Sequence, residues 1–352
     1  MKYSVAVDLG GTNIGAGVVR VDGRLISKVS ALTPAGQGPE ALIRQVCDTA
    51  RAAIFEAHME PQEIAFAGIG IPGVCKSVKG PVILAPNIGW KNIDCVPTLE
   101  AYLGMPVYLE NDADCAALGE AKAGAGVNYD NLLMLTVGTG IGGGVILGGK
   151  LFAAPLGGEY GHVTLVHGGL PCSCGKRGCF ECYASAVALK RETRKAAEAH
   201  PESLIWKLCE GDLSKIGGRT PFDAAEQGDE TGEAVVEQYL DYLADGISGF
   251  VNIFRPQAVV IGGGVSNQGD SLLIPLEKKV LLKIAGADLD VVSDALCPTP
   301  GLSDGSINLA KTHAKASSQR YAMPNQYENE MNVLAHMRTT GPEIWRQTEG
   351  RI

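Results

Sequence analysis

Short apolar runs that end in clusters of glycine recur three times along the chain. They cover Tyr3–Val7, Leu132–Val137 and Ala258–Ile261, and each is followed within a few residues by two or more glycines. Runs of this length, rich in apolar and β-branched residues, predict strands. A strand that runs into glycines lets the backbone approach a ligand closely. We therefore expect three turns that face a ligand.

Periodic apolar positions between these runs predict helices over Pro39–His58, Asp114–Ala123, Ala184–Ala199 and Glu233–Phe254. Residues 18–26 predict a β-hairpin across the Asp22–Gly23 turn. Strands come first and helices later, and this order occurs twice, which favours an α/β protein with two related halves. The length of 352 residues fits about two domains.

Composition and charge narrow the class of protein. Hydrophobic residues make up 45% of the chain and charged residues 20%, as in soluble globular proteins. The net charge of −9 argues against a basic surface for nucleic acid over the whole protein, although a local basic patch stays open. The first residues reach Asp8 too early to form a secretory signal, and no apolar run reaches the roughly 18 residues of a membrane span. We expect a cytoplasmic protein with no nucleic-acid partner and no membrane partner.

The first glycine turn predicts a phosphate site. Asp8 ends the first strand, and Gly10, Gly11, Thr12 and Asn13 follow it, between two strands of a predicted hairpin. This context differs from the strand-to-helix turn of a Walker loop or a Rossmann fingerprint, and neither GxxxxGK(S/T) nor a well-placed GxGxxG occurs at this turn. Backbone N–H groups and the threonine hydroxyl can bind phosphates there, and the aspartate can hold a water on Mg2+. An ordinary tight turn is the alternative interpretation.

Two further turns repeat this theme. Gly138, Thr139 and Gly140 follow the second strand, and Gly263 and Gly264 follow the third. Two glycine turns facing each other across a cleft are typical of the duplicated nucleotide clamp of the actin and sugar-kinase superfamily. The third turn suits contact with adenosine. Three glycine turns in this order are much more specific than any one of them.

A group of acidic residues marks a strand-to-helix junction. Glu110, Asn111, Asp112 and Asp114 follow the apolar run Val107–Leu109. A carboxylate at such a junction is well placed to accept a proton from a substrate hydroxyl. The alternative role is an Asx cap for the following helix, and Asp114 suffices for that. We favour Asp112 as the general base in the cleft, which leaves Asp114 for the cap.

Four of the ten cysteines fall within eleven residues, from 172 to 182. Without a secretory signal, such a cluster favours a metal site over disulfides. One histidine and three cysteines form a closed set that is usual for structural zinc, and neighbouring glycines permit the sharp turns of a metal knuckle. Cys182 and His167 are spare candidates that we leave out. The predicted ligands are His162, Cys172, Cys174 and Cys179.

Taken together, these motifs resemble the ROK family of repressors, open reading frames and sugar kinases, from residue 3 to about residue 295. The matching stretches are DLGGTN at 8–13, GIGIPG at 68–73, APNIGW at 85–90, ENDAD at 110–114, TVGTGIGGG at 136–144, GGEYGH at 157–162 and CSCGKRGCFE at 172–181. The resemblance implies an α/β, two-domain actin-like ATPase fold with a cleft between the domains and a zinc knuckle. The domains would cover residues 1–120 and 121–310, followed by an atypical tail at 311–352.

The resemblance also implies a function, which is ATP-dependent phosphorylation of a hexose, with glucose first, as in bacterial ATP-dependent glucokinases. Asp112 would be the general base, and His162 would serve both zinc and sugar, as a ligating histidine can. Mg2+ would accompany the nucleotide, and we expect a homodimer or homotetramer. The implied sugar-binding residues are Gly73, Asn87, Asn111, Asp112, Glu159, His162 and Glu181. The implied nucleotide-binding residues are Asp8, Gly10, Gly11, Thr12, Asn13, Gly138, Thr139, Gly140, Gly263 and Gly264.

Other functions within the family stay open at this point. Kinases of N-acetylmannosamine, N-acetylglucosamine or fructose share nearly the same motifs. Repressors of the family carry a helix-turn-helix before the first strand, which we do not expect here because the first strand begins at Tyr3. The resemblance fades after Leu296, and residues 325–345 resemble a fragment of the PLP-dependent cysteine synthase family without its lysine. We expect no functional module in this tail.

Overall fold

The computed structural model describes residues 2–21, 23–152, 158–284 and 289–293. Over these ranges the protein is an α/β structure, as the sequence predicts. None of the helices in them combines the length and the apolar character needed to cross a membrane. The divergent segment after Leu296 and the tail at 311–352 lie outside the described residues.

Thirteen strands and nine α-helices account for most of the described residues. The strands are β1 (Tyr3–Leu9), β2 (Asn13–Arg20), β3 (Leu25–Leu32), β4 (Ile64–Ile71), β5 (Val74–Cys75), β6 (Val82–Ala85), β7 (Trp90–Ile93), β8 (Val107–Asn111), β9 (Leu132–Val137), β10 (Ile141–Leu147), β11 (Lys150–Leu151), β12 (Ala258–Gly262) and β13 (Asp290–Ser293). The helices are α1 (Pro39–Glu56), α2 (Val96–Leu103), α3 (Asp112–Ala123), α4 (Glu181–Ala184), α5 (Ala186–Ala199), α6 (Leu204–Leu208), α7 (Thr220–Glu226), α8 (Glu230–Phe254) and α9 (Asp270–Lys283).

Helix boundaries differ from the sequence prediction where polar side chains cap the backbone. α3 begins at Asp112 and not at Asp114, because Asn111 caps it. The helix predicted over residues 184–199 is divided at Ser185, whose hydroxyl accepts a backbone N–H of the following turn and starts α5. Such caps decide where helices begin, and apolar periodicity does not register them.

The first sheet has the strand order β3–β2–β1–β4–β8, in which β1, β4 and β8 run parallel. One face of β1 is apolar, and its Val7 and Leu9 are buried in the same core as residues of α1. Alternation along the strand turns Asp8 to the opposite face. In register, Asp8 lies beside Gly70 of β4, and Gly70 lies beside Glu110 of β8. The sheet therefore places two carboxylates from distant parts of the sequence on one face, separated by a glycine.

The second sheet has the strand order β11–β10–β9–β12–β13, with β9, β12 and β13 parallel. β12 is buried along its whole length, and β9 at every position except Thr136. Such continuous apolar runs are typical of parallel strands that are covered on both faces. A smaller antiparallel sheet has the order β5–β6–β7.

The described residues group into two compact units. The first unit holds residues 2–127 and 144–158, and the second holds residues 128–143 and 159–293, in both cases without the undescribed positions. The turn at 10–12 belongs to the first unit, and the turns at 138–140 and 263–264 belong to the second. The domain boundaries predicted at residues 120 and 310 stay predictions.

Candidate active site and metal centre

Four carboxylates gather in the first unit, and we call Asp8, Glu110, Asp112 and Asp114 the acid cluster. Burial raises the pKa of the Cys115 thiol on α3, and the negative charges of the four carboxylates raise it further. All four carboxylates therefore lie near this side chain. Burial also raises the pKa of Glu110. The Asp8 carboxylate reaches solvent, yet the atoms crowded around it remove part of its hydration and raise its pKa. A cluster of this kind attracts protons and cations.

Asn111 fixes the start of α3 and thereby the position of Asp112. Its Oδ1 accepts the N–H groups of Ala113 at 2.9 Å and of Asp114 at 3.0 Å. Its Nδ2 donates to the carbonyl oxygen of Gly73 at 3.0 Å. The prediction that Asp114 caps this helix is wrong: the amide of Asn111 takes that role, and Asp114 is 1% exposed. Asp112 is the first residue of α3, where the helix dipole favours a negative charge.

The first glycine turn joins β1 to β2, as the sequence predicts. The N–H of Gly10 donates to the carbonyl oxygen of Asn13 at 2.9 Å, and the Thr33 hydroxyl donates to the Gly10 carbonyl at 2.7 Å. A side chain at Gly10 would press against the Asn13 carbonyl, so glycine is required for this tight closure. Gly11, Thr12 and Asn13 are exposed to solvent, which leaves their backbone accessible to an anionic ligand.

Two further residues assigned to sugar binding adjoin these features. Gly73 has no room for a side chain, because a Cβ there would overlap the Leu84 carbonyl oxygen. Its own carbonyl accepts the amide of Asn111. A Cβ at Gly11 would lie 3.4 Å from the carbonyl oxygen of Asn87. The first unit therefore brings Gly73 to Asn111, and Asn87 to the first glycine turn.

In the second unit, the turn at 138–140 is tied to Glu181. The Oε2 atom of Glu181 accepts the N–H of Ile141 at 2.9 Å. A Cβ at Gly140 would overlap this carboxylate oxygen, so the contact depends on glycine. Gly138 closes the turn by donating its N–H to the Gly140 carbonyl at 2.9 Å, and Thr139 is exposed. The sequence suggests a sugar role for Glu181 and gives no sign of this contact with the second glycine turn.

The third glycine turn lies directly beside the second. Gly263 has a φ of 84°, in the left-handed region that favours glycine, and a Cβ there would lie 2.6 Å from the Val137 carbonyl oxygen. That carbonyl accepts the N–H of Val265 at 3.1 Å. β9 and β12 are parallel neighbours, so their carboxyl ends, and the turns that follow them, meet at one edge of the sheet. Gly264 adjoins this contact.

The four predicted metal ligands come together within the described residues. The nitrogen of His162 and the sulfurs of Cys172, Cys174 and Cys179 all lie within 4.8 Å of one another. The Cys174 and Cys179 sulfurs are 3.6 Å apart, and the Cys172 sulfur is 3.5 Å from His162 Nδ1. Tetrahedral zinc, with bonds of about 2.3 Å to sulfur and about 2.0 Å to nitrogen, requires sulfur–sulfur separations of about 3.8 Å and sulfur–nitrogen separations of about 3.5 Å. The donor set fits such an ion, and we call residues 172–179 the knuckle.

The electrostatics of the knuckle also favour a cation. Burial alone would raise the pKa of Cys172, but hydrogen bonds from the backbone N–H and thiol of Cys174 lower it to about 6. Burial and the neighbouring thiols raise the pKa of Cys179 to about 12. Sulfurs this close repel each other as thiolates, and a bound divalent cation removes that repulsion.

Two contacts connect the knuckle to its surroundings in the second unit. His162 Nε2 lies 3.9 Å from a carboxylate oxygen of Glu159, while Nδ1 faces the sulfurs. Phe180, directly after the knuckle, is 1% exposed and packs against Gly246 of α8, where a Cβ would overlap its ring. His162 thus has one nitrogen for a metal and the other on the side of Glu159, and Phe180 anchors the segment on α8.

The sequence profile of the ROK family matches residues 4–293. The chain belongs to the ROK family. A glucokinase of Thermotoga maritima is 39% identical over 280 residues, which cover 79% of this chain and 86% of that protein. The crystal structure of a ROK family glucokinase from Streptomyces griseus in complex with glucose and AMPPNP is 34% identical, with a TM-score of 0.70, and covers 83% of this chain and 94% of that one. A xylose repressor of Caldicellulosiruptor bescii is 31% identical over 280 residues, which cover 78% of this chain and 69% of that protein.

Proposed function

We propose that this ROK protein is an ATP-dependent hexose kinase that converts glucose to glucose 6-phosphate. The observation that carries the proposal is Asp112, a carboxylate fixed by Asn111 at the N-terminus of α3, in a chain 39% identical to a glucokinase. The Streptomyces griseus relative was crystallised with glucose and AMPPNP, which supports glucose as acceptor and ATP as donor.

Asp112 is the general base in this reaction. The 6-hydroxyl oxygen of glucose attacks the γ-phosphorus of ATP, the bond to the bridging oxygen breaks, and ADP leaves while the hydroxyl proton passes to Asp112. The positive end of α3 favours the anionic carboxylate before attack.

The proposal assigns binding groups within each unit. In the first unit, the groups assigned to sugar hydroxyls are Asn111, Asn87 and the backbone of Gly73. In the second unit, they are Glu159, His162 and Glu181. The exposed turns at 10–13 and 138–140 bind phosphates, and Gly263 and Gly264 approach the adenosine. Asp8 would hold a water of the Mg2+ that accompanies the nucleotide, and this ion would supply positive charge to the phosphates.

We further propose that the knuckle holds one structural zinc ion through His162, Cys172, Cys174 and Cys179. The sulfur–sulfur and sulfur–nitrogen separations support this set. All four positions of a tetrahedral ion are then filled by protein, so the metal orders the loop and takes no part in phosphoryl transfer. Its effect on the sugar is indirect, because His162 orients toward Glu159 through its second nitrogen.

A coupled assay of ADP release across a panel of sugars tests the proposed function. Glucose should give the highest kcat/KM, with N-acetylmannosamine, N-acetylglucosamine and fructose well below it. A higher kcat/KM for one of these three sugars would keep the kinase mechanism and replace the substrate. Sugars added without ATP should give no product.

A sugar-binding regulator is the second candidate function, because the xylose repressor of Caldicellulosiruptor bescii is 31% identical to this chain. A regulator would bind sugar without consuming ATP. Glucose-dependent ADP release by the purified protein supports the kinase. Saturable sugar binding with no ADP release at any ATP concentration would favour the regulator.

A further inference from the structure

A pocket in the second unit is lined by none of the residues assigned to catalysis, substrate or metal. Its volume is about 390 Å³, and its walls come from the turn at Gly168–Leu170, the knuckle, α4, α5 and α8. Pockets of a few hundred Å³ are the size that holds small-molecule ligands. Arg177, Arg191 and Lys195 line it, together with one acidic residue, Glu192.

The charges of this pocket do not cancel. Arg191 donates through Nε to Glu192 at 2.6 Å, and Lys195 donates to the same carboxylate at 3.1 Å. Arg177 makes no ion pair within the described part of the chain, and its Nε donates to the Gly168 carbonyl at 3.3 Å. Three cations against one carboxylate leave a local charge of about +2 at neutral pH. This excess stands out in a protein whose net charge is −9.

An aromatic wall completes the pocket, and it is already formed. The hydroxyl oxygen of Tyr183 accepts the N–H of Leu170 at 2.7 Å, and a Cβ at Gly169 would overlap that oxygen. The ring of Tyr183 lies 4.9 Å from the ring of Tyr242, centroid to centroid. Because the Tyr183 oxygen acts as an acceptor in this bond, its own proton is available to donate to a ligand. The wall therefore offers both an apolar ring face and a hydrogen-bond donor.

We propose that this pocket binds a phosphomonoester carried on a ring of sugar or nucleoside size. A phosphomonoester carries a charge of about −1.5 to −2 at neutral pH, which matches the local excess. The planar guanidinium of Arg177 can bind two of its oxygens at once. The two tyrosines can pack against the ring and bind its hydroxyls. None of its lining residues belongs to the acid cluster or to the glycine turns, and the proposal does not rest on the kinase assignment.

Titration calorimetry on the full-length, zinc-loaded protein tests this, with glucose and ADP present at saturation to fill the proposed substrate sites. Glucose 6-phosphate, AMP and inorganic phosphate are titrated separately. At least one of the two esters should bind saturably with one site per chain. Binding of glucose 6-phosphate would identify a sugar phosphate as the ligand class, and binding of AMP would identify a nucleotide. Inorganic phosphate, which has no ring for the tyrosines, should bind at least about tenfold more weakly.

Single substitutions test whether the binding heat that calorimetry measures comes from this pocket. Arg177→Ala and Lys195→Ala should each weaken ester binding by about tenfold to hundredfold, as expected for a lost hydrogen bond to a charged group. Arg194→Ala and Lys190→Ala are matched controls on α5 outside the pocket and should leave the affinity unchanged. Zinc content and Tm confirm that each variant is folded. The proposal would be overturned by no saturable ester binding, by wild-type affinity in both pocket variants, or by inorganic phosphate binding as tightly as the esters.

Discussion

The acid cluster and the knuckle assemble reactive side chains in opposite ways. Asp8 and Glu110 stand in register on parallel strands whose other face is packed in the core of the first unit. The knuckle has exposed Cys174 and left-handed glycines at 175 and 178, and isolated β-bridges connect it to its neighbours. The hydrophobic core therefore maintains the first arrangement, whereas the zinc ion that we propose would maintain the second through its ligand bonds. Changes in the acid cluster should alter chemistry, and changes in the knuckle should alter structure.

The largest expected effect is loss of the ion from the knuckle. Structural zinc contributes about 10–16 kcal/mol to the folding of isolated zinc-finger peptides, so Cys174→Ala should abolish stoichiometric zinc, lower Tm and weaken sugar binding through His162. Cys182→Ala is the matched control: this thiol donates to the Pro171 carbonyl at 3.6 Å and is outside the four-ligand set. It should retain one zinc per chain by metal analysis. Equal zinc loss in the two variants would contradict the assigned ligands.

Removal of the proposed base should have the next largest effect, on chemistry alone. Asp112→Asn should lower kcat by about 10²–10⁴, which is typical of a lost general base, with little change in glucose affinity or Tm. Asp48→Asn, an exposed aspartate on α1 of the same unit, is the control and should keep full activity. The coupled ADP assay and calorimetry measure the two quantities. Near-normal turnover by Asp112→Asn would remove this residue from the mechanism.

Asn111→Ala should affect both structure and chemistry to a moderate degree. Loss of an N-cap lowers the free energy of unfolding by about 0.5–2 kcal/mol, and loss of the bond to Gly73 also frees the start of α3. We expect kcat to fall together with stability, because Asp112 is no longer held. Ser203→Ala removes the cap of α6 in the second unit. Ser203→Ala is therefore the control, with urea unfolding measuring stability and the coupled assay measuring kcat in both variants. If Ser203→Ala lowers kcat as much as Asn111→Ala does, the loss of stability alone explains the effect.

Glu110→Gln should have the smallest effect, which is a pH-dependent change in the free energy of unfolding. Burial raises the pKa of Glu110 above its ordinary value of 4.5, so its stabilising contribution is present at low pH and is lost as the pH rises through the folded-state pKa. The glutamine variant should thus be more stable than the wild type at pH 7–8, and this difference should vanish toward pH 4. Urea unfolding across this pH range measures it. A variant less stable at pH 8 would mean that the charge is compensated in the folded protein.

The features that the sequence predicts correctly depend on residues that are close together in the chain. The strands before the glycine turns, the hairpin context of Gly10 and the spacing of Cys172, Cys174 and Cys179 are local patterns, and the structure contains each of them. A metal-ligand motif is predictable for the same reason, because a short loop can bring its own ligands together.

Local sequence patterns do not predict contacts between residues that are far apart in the chain. Asn111 binds the Gly73 carbonyl from 38 residues away, and Glu181 binds the Ile141 N–H from 40 residues away. In the acid cluster, the pairing of β1, β4 and β8 places Asp8 and Glu110 on either side of Gly70. Strand order and register come from the tertiary fold, so a single sequence identifies these residues without showing their partners.

Hydrogen exchange before and after zinc chelation tests the contrast between the two regions most directly. The amides of residues 172–179 should lose their protection when the metal is removed, because the proposed zinc ion holds the four ligands of this loop together. The amides of residues 107–118, which include the capped start of α3, should keep theirs, because the core of the first unit maintains the acid cluster. Unchanged protection of the knuckle, or an equal loss in both segments, would contradict the account.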